Sequence, residues 1–386
     1  MGLHAAELET LVALRHELHR HPELSGAEAA TADRIRAYLA ALGPDELLEG
    51  LGGHRLAAVY AGAEPGPTVL FRCELDGLPI EERGRPAYRS RVAGCSHMCG
   101  HDGHMAIVTA LAHLFRRRPP ARGRAVLLYQ PAEETGAGAA AVLADPQFQA
   151  LDPDYCFALH NMPGLPLGHV ALRAGPVCCA SRGMCIDLDG ATAHASQPET
   201  GTSPAQALAG LLTALPALGG GEPTAPDFAM ATVTHARLGE PSFGVAPGSA
   251  SLWLTLRTGV DAAMEQLVSR AEATVRAVAE AAGLSFAIRY EDVFHHCEND
   301  GEATAILRGA MAAARIPEAA YPFPMRASED FGLFGGRARA ALCLLGAGEA
   351  SPHLHNADYD FPDPLIGTGA DLFAAVADAL LGAAGP

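Results

Sequence analysis

The chain has 386 residues, 49% of them hydrophobic and 18% charged, which is enough apolar material for two or three packed domains at about 150 residues each. Its 44 Asp and Glu outnumber 27 basic residues, all of them Arg, for a net charge of −17. The acidic balance argues against a nucleic-acid partner, and the absence of Lys excludes Walker phosphate loops, protein kinases and Schiff-base enzymes.

Residues 5–42 read as two helices. Leu8, Leu11, Val12 and Leu18 share one stripe, and Pro22 breaks the first helix. Strands are predicted at 55–61 and 67–76, a helix at 104–117, a strand at 124–131, a helix at 136–144 and a strand at 155–160. Near the C-terminus, 341–346 reads as a buried strand and 365–382 as a closing helix. Strands alternating with helices indicate an α/β fold with helices on both faces of a sheet. The middle has another rhythm: strand 184–190, helix 203–215, strands 231–239 and 249–259, helix 264–283 and strand 284–294. That βαββαβ order is ferredoxin-like. It predicts a small α+β domain at 178–294, with 219–226 as an internal loop, inserted into a larger domain made of 1–177 and 295–386.

Nine Cys in a long chain do not form the disulfide framework of a short secreted protein. Reduced, buried thiols and a cytoplasmic location are expected. The N-terminus lacks the features of a signal peptide, and no stretch reaches about 18 uncharged apolar residues, so no membrane span is expected.

The densest chemistry is GCSHMCGHDGH, 94–104, which holds Cys95, His97, Cys99, His101, Asp102 and His104. Thiolate and imidazole are the ligands of zinc-like ions, and carboxylates complete such sets. A helix cap at Asp102 would explain one of these residues, not six. Glu133 and Glu134 follow a predicted strand; one carboxylate can bind metal while its neighbour faces substrate as a general base. A solvated pair opening the helix at 136 is an equal alternative reading of them. His160 and the HLHN segment with His353 and His355 would each, alone, read as structural. Their position changes that. Asp76, the Glu pair and His160 sit at C-terminal ends of predicted strands, and HLHN lies in the loop after another. In open α/β sheets this edge binds ligands.

Three motifs are discounted. GAGAAA at 136–141 matches a loose dinucleotide fingerprint but does not leave a strand directly. There is no GxSxG elbow. His295, His296 and Cys297 cluster at the predicted return into the first domain.

LHRHPELSGAE, FRCELDGLPI, MCGHDGH, QPAEE, ALHNMPG, TAHASQP, LRTG, SEDFG and LHNADYDF occur in that order along nearly the whole chain. In this ordered set the chain resembles the aminoacylase and carboxypeptidase superfamily of metallohydrolases, in the branch of hippurate hydrolases and auxin-conjugate amidohydrolases. The resemblance implies a mixed-sheet catalytic domain with an inserted lid and dimerisation domain. It implies two divalent metal ions, zinc first, with manganese, cobalt or nickel as alternatives. Cys99 would bridge them, and His101, Glu134, His160 and His355 would complete their shells. Glu133 would be the general base, and Asp76 and Asp102 would orient the histidines. His194 would steady the scissile carbonyl, and Arg257 would grip the substrate carboxylate, a task suited to a planar bidentate donor. Two departures are visible: Glu74-x-Asp76 stands where broader relatives have His-x-Asp, and Gly244 stands where many have Asn.

The expected activity is hydrolysis of the amide of an N-acyl amino acid or similar small conjugate, by a metal-activated water with Glu133 as base. A homodimer or higher homo-oligomer is expected. The alternatives are a dipeptidase or carboxypeptidase with the same machinery, and a non-catalytic metal-binding or thiol-redox protein, which needs ligands but no base beside them.

Overall fold

The computed structural model describes residues 2–50, 56–225 and 227–382. The first residue of the predicted strand 55–61 and the last of the predicted loop 219–226 lie outside the described residues. The chain divides into two compact units, Met1–Val177 with Glu298–Tyr321 and Asp330–Pro386, and Cys178–Cys297 with Pro322–Glu329.

In chain order the elements are α1 (Ala5–Arg20), α2 (Ala29–Ala40), β1 (Glu46–Glu49), β2 (Leu56–Ala61), β3 (Glu64–Glu74), α3 (His101–Arg117), β4 (Arg122–Gln130), α4 (Gly138–Ala144), α5 (Pro146–Leu151), β5 (Tyr155–Pro163) and β6 (Val170–Ala171). Next come β7 (Gly175–Cys178), β8 (Ala180–Asp189), β9 (Ala193–His194), α6 (Ala205–Ala214), β10 (Ala229–Leu238), β11 (Val245–Ala246), β12 (Ser249–Thr258), α7 (Asp261–Ala281) and β13 (Ser285–Phe294). The last are β14 (Cys297–Asn299), α8 (Gly301–Ala314), β15 (Arg339–Gly348) and α9 (Leu365–Leu381).

The first unit is built on a seven-stranded sheet of order β1-β2-β4-β3-β5-β15-β6. Strands β4, β3, β5 and β15 run parallel, while β2 and β6 pair antiparallel with their inner neighbours, so the sheet is mixed. The central strands read as continuous apolar runs because both faces are covered. Val69, Leu70 and Phe71 of β3 and Val126, Leu127 and Leu128 of β4 are all fully buried. Helix α3 is buried over most of its surface, and Gly103 explains part of that: a Cβ there would collide with the Phe361 ring. Four parallel strands thus deliver their C-terminal ends to one edge.

The second unit is a four-stranded antiparallel sheet of order β10-β12-β8-β13. Alternate residues of β12 (Leu252, Leu254 and Leu256) join Leu211 of α6 and Leu267, Ala271 and Val275 of α7 in its core. The period-2 and period-3.6 patterns meet on one face, which is the physical basis of the βαββαβ arrangement.

Several local expectations need correction. Helix α3 begins at His101, three residues earlier than predicted, behind Gly100 at φ 89°. Strand β5 continues to Pro163, so His160 lies within the strand and not past its end. Helix α8 is not among the predicted elements, although Asp300 caps it by accepting a hydrogen bond from the Ala303 N–H at 2.9 Å. The segment Pro322–Glu329 groups with the second unit, outside the expected 178–294. All nine cysteines are buried and none is in a disulfide. No described helix is long and apolar enough to cross a membrane.

Candidate metal centre

The centre is assembled at the C-terminal edge of the parallel strands. Asp76 follows β3, Glu133 and Glu134 follow β4, His160 is on β5, and His355 lies in the loop after β15. Cys99 and His101 come from the turn that opens α3. The turn needs the left-handed backbone of Gly100, where a Cβ would overlap the Asn161 amide oxygen.

Cys99, His101 and His160 each offer a ligand atom within 4.8 Å of the others, and so do Cys99, Glu134 and His355. His101, Glu133 and Glu134 form a third such group. Cys99 is common to the first two. Cys99 Sγ is 3.4 Å from His160 Nε2, and His355 Nε2 is 3.6 Å from Glu134. His101 Nε2 has one oxygen of Glu133 and one of Glu134 at 3.8 Å.

Ring nitrogens decide which histidines can serve. His101 Nδ1 donates to the Asp76 backbone carbonyl at 2.9 Å, and His160 Nδ1 donates to the Asn161 carbonyl at 2.8 Å. In the neutral rings each Nε2 then carries the lone pair, the form a metal needs. His101 Nε2 is buried and has no hydrogen-bond partner among the described residues. His104 is different. Its Nδ1 lies 2.6 Å from Glu74, and its Nε2 accepts the Asn161 backbone N–H at 3.1 Å. Both nitrogens are committed, so His104 is held in a structural network although Glu74, His101 and His104 also lie within metal-ligand reach of one another.

The electrostatics favour a cation. Burial works against a charged His101, but Asp76, Glu74 and Glu134 outweigh it and push its pKa up to about 10. Burial, reinforced by Glu134 and Glu133, pushes the Cys99 thiol well up. Burial pulls His160 down to about 3, so its ring is neutral. A buried thiol among carboxylates, beside an imidazole lone pair with no hydrogen-bond partner, fits one or more divalent ions with N, O and S ligands.

Strain marks the same place. Two of the five described non-glycine residues with positive φ lie here, Ala132 at 51° and His355 at 65°. One immediately precedes Glu133, and the other is itself a candidate ligand. Glu28 holds the first turn by accepting the Ala132 N–H at 2.8 Å, and His355 N donates to the Met98 carbonyl at 2.9 Å.

Asp76 reaches His101 through its side chain as well, with Oδ1 3.5 Å from Nδ1. Its other oxygen accepts from Ser25 at 2.8 Å and from the Glu134 N–H at 3.0 Å. Asp102 does not cap α3 and, among the described residues, makes no hydrogen bond to His101, His160 or His355. Its partners are His19 at 2.9 Å and Arg15 at 3.5 Å, both on α1. It braces the loop from behind, through a network absent from the sequence-based expectations. The signal for it was the pair of polar residues at i and i+4 on the apolar stripe of α1. Equally unforeseen is the buried group of Arg72, Glu74, Gln130 and Asp330, in which Arg72 binds Gln130 at 3.0 Å and Asp330 at 2.6 Å as well as Glu74. Asn161 Nδ2 donates to the Cys99 carbonyl at 2.9 Å, and Tyr359 OH donates to Asn161 Oδ1 at 3.1 Å.

In the second unit, His194 is exposed on β9, with Ser196 Oγ 2.7 Å from its Nδ1. Strand β9 pairs with β11, and the Gly244 carbonyl accepts the Ala195 N–H at 3.0 Å. Arg257 lies near the end of β12, and its Nη1 donates to the Arg326 carbonyl at 2.8 Å and to Ser328 Oγ at 3.0 Å.

Comparisons with known proteins agree with this chemistry. Residues 70–379 match the model of peptidase family M20/M25/M40. An N-acetyl-L-cysteine deacetylase of Bacillus subtilis is 31% identical over 84% of this chain and 77% of its own. The hippurate hydrolase of Campylobacter jejuni is 28% identical over 94% of each chain. The crystal structure of a Bacillus subtilis dinuclear metal binding peptidase from the M20 family superposes with a TM-score of 0.81 at 25% identity, over 98% of this chain and 99% of that one.

Proposed function

Because the chain belongs to peptidase family M20/M25/M40, we propose that it is a metal-dependent amidohydrolase that cleaves the amide bond of small N-acyl amino acids. The relatives named as a deacetylase and a hippurate hydrolase favour this over a dipeptidase or carboxypeptidase.

Cys99, His101, Glu134, His160 and His355 would hold two divalent ions, Cys99 belonging to both candidate ligand groups. A thiolate in the set favours zinc over manganese, cobalt or nickel. Such ions supply Lewis acidity to the amide carbonyl and to the attacking water. Glu133 takes the proton of that water at a carboxylate oxygen and returns it to the departing amine. Asp76 keeps His101 oriented. His194 donates a hydrogen bond to the developing oxyanion, and Arg257 pairs with the substrate carboxylate. The inserted unit would act as lid and dimerisation module, and the assembly would be a homodimer.

The observation that carries the reading is the division of labour between two adjacent carboxylates. Glu134 lies in metal-ligand reach of the Cys99–His355 pair and of His101, whereas Glu133 reaches His101 and, in a separate group, Glu329 and Asp330, but not Cys99 or His355. This difference in reach supports Glu134 as a ligand and Glu133 as the proton carrier. Glu133→Gln should retain near-native metal content while hydrolysis of N-acetyl or N-benzoyl amino acids falls by about 10²-fold or more. Full activity in that variant would overturn the mechanism.

A further inference from the structure

The guanidinium of Arg257 is set apart from the other inward-facing arginines. Arg15 and Arg72 are fully buried, and each meets carboxylates: Asp102, Asp360 and Asp363 for Arg15, Glu74 and Asp330 for Arg72. Arg257 is half-buried and makes no ion pair with any described residue; its side-chain bonds go to the Arg326 carbonyl and the Ser328 hydroxyl. Arg326 is exposed, and it too makes no ion pair among the described residues. Within the same unit Arg182 pairs with Glu265 at 2.9 Å and Arg289 pairs with Asp187. Arg257 and Arg326 thus lie side by side, joined by the hydrogen bond to the Arg326 carbonyl, with no acid paired to either among the described residues.

The local charges point the same way. Arg257 lies on the face of the sheet opposite the core residues Leu254 and Leu256, paired across the ladder with Ser181. Burial and the charge of Arg326 both pull its pKa down. Burial raises the thiol of Cys179, next to Ala180 at the start of β8, and both guanidinium charges lower it. Two cations held together this way repel each other, and an anion between them removes the cost.

We propose that Arg257 and Arg326 form a two-guanidinium subsite, and that the preferred substrate is the N-acyl derivative of an amino acid with an acidic side chain. The proposal rests on the amidohydrolase reading and adds the second anionic group: Arg257 takes one carboxylate and Arg326 the other. Planar guanidinium donors recognise carboxylates in pairs of hydrogen bonds, and a neutral amide of the same shape cannot satisfy both.

The test compares N-acetylglutamate with its near-isostere N-acetylglutamine. The expected kcat/KM ratio is about tenfold to a hundredfold in favour of the acidic compound, carried by KM. In Arg326→Gln the ratio should collapse toward one. A native ratio near one, or one that Arg326→Gln leaves unchanged, would overturn the proposal. Binding decides the matter independently of turnover. Calorimetric titration of the metal-loaded Glu133→Gln protein should show the same preference for N-acetylglutamate, lost when Arg326→Gln is added. Equal affinities would overturn it. Failure to hydrolyse any N-acyl amino acid, with the binding preference intact, would instead refute the amidohydrolase reading and leave a dianion-binding site established.

Discussion

The Nδ1 of His19 lies 2.9 Å from a carboxylate oxygen of Asp102, although 83 residues separate them in sequence. Both side chains are fully buried. The contact ties α1 to the residue that follows His101, and Arg15, one turn earlier on α1, reaches the same oxygen at 3.5 Å.

This contact predicts a stability change in alkaline solution. Burial disfavours charge on His19, but Asp102 and Glu82 outweigh it and push the pKa up to about 9. Since the folded value is raised, the stabilisation is complete below about pH 6.5 and is lost as pH rises through about 9. The native protein should lose about 3 kcal/mol of unfolding free energy between those limits. His19→Gln should be less stable at pH 6.5 and nearly flat across the window. Denaturant unfolding at a series of pH values measures both, and equal slopes would refute the role of His19.

Arg72 stands between two buried carboxylates, Glu74 and Asp330. Arg72→Met should cost about 3–5 kcal/mol because it strands those charges away from water. Arg72→Lys should recover only part, since one ammonium cannot reproduce the guanidinium fork that also binds Gln130. Chemical denaturation of the three proteins orders them, and a Lys variant equal to native would contradict the argument.

Gly100 turns the chain between Cys99 and His101 at φ 89°, against Asn161. Gly100→Ala should force Asn161 away from the Cys99 carbonyl and lower metal affinity by about 10-fold to 100-fold, with a loss of about 1–3 kcal/mol in stability. Competition with a calibrated chelator gives the affinity. Unchanged affinity would show that the turn does not position the ligands.

Cys99 lies in two of the ligand groups, whereas His160 lies in one. Cys99→Ser should therefore reduce the metal retained after dialysis more than His160→Ala does, as read by elemental analysis. The Cys99 thiol must lose its proton to act as a ligand, and burial among carboxylates holds that proton firmly. Metal uptake by the native protein should release protons, and Cys99→Ser should release fewer. Equal proton release would argue against a thiolate ligand.

The sequence by itself determined the candidate chemistry. Cys99, His101, the Glu133–Glu134 pair, His160 and His355 are legible as candidates because metal ligation demands particular side chains, and strand ends announce themselves through apolar runs that stop at polar residues. The βαββαβ rhythm of the middle segment is legible for the same reason, since periodicity is local. Tertiary structure alone decided which of the clustered polar residues face the centre. His101 and His104 are three residues apart and chemically identical, yet a backbone carbonyl leaves one Nε2 open while the Asn161 N–H closes the other. Asp102 reads in sequence as a partner of the ligand histidines, but packing of α1 brings it His19 and Arg15 instead. The Arg72 network and the hydrogen bond from Arg257 to the Arg326 carbonyl depend on contacts across dozens or hundreds of residues. Such contacts are set by sheet order and helix packing, which no local pattern encodes.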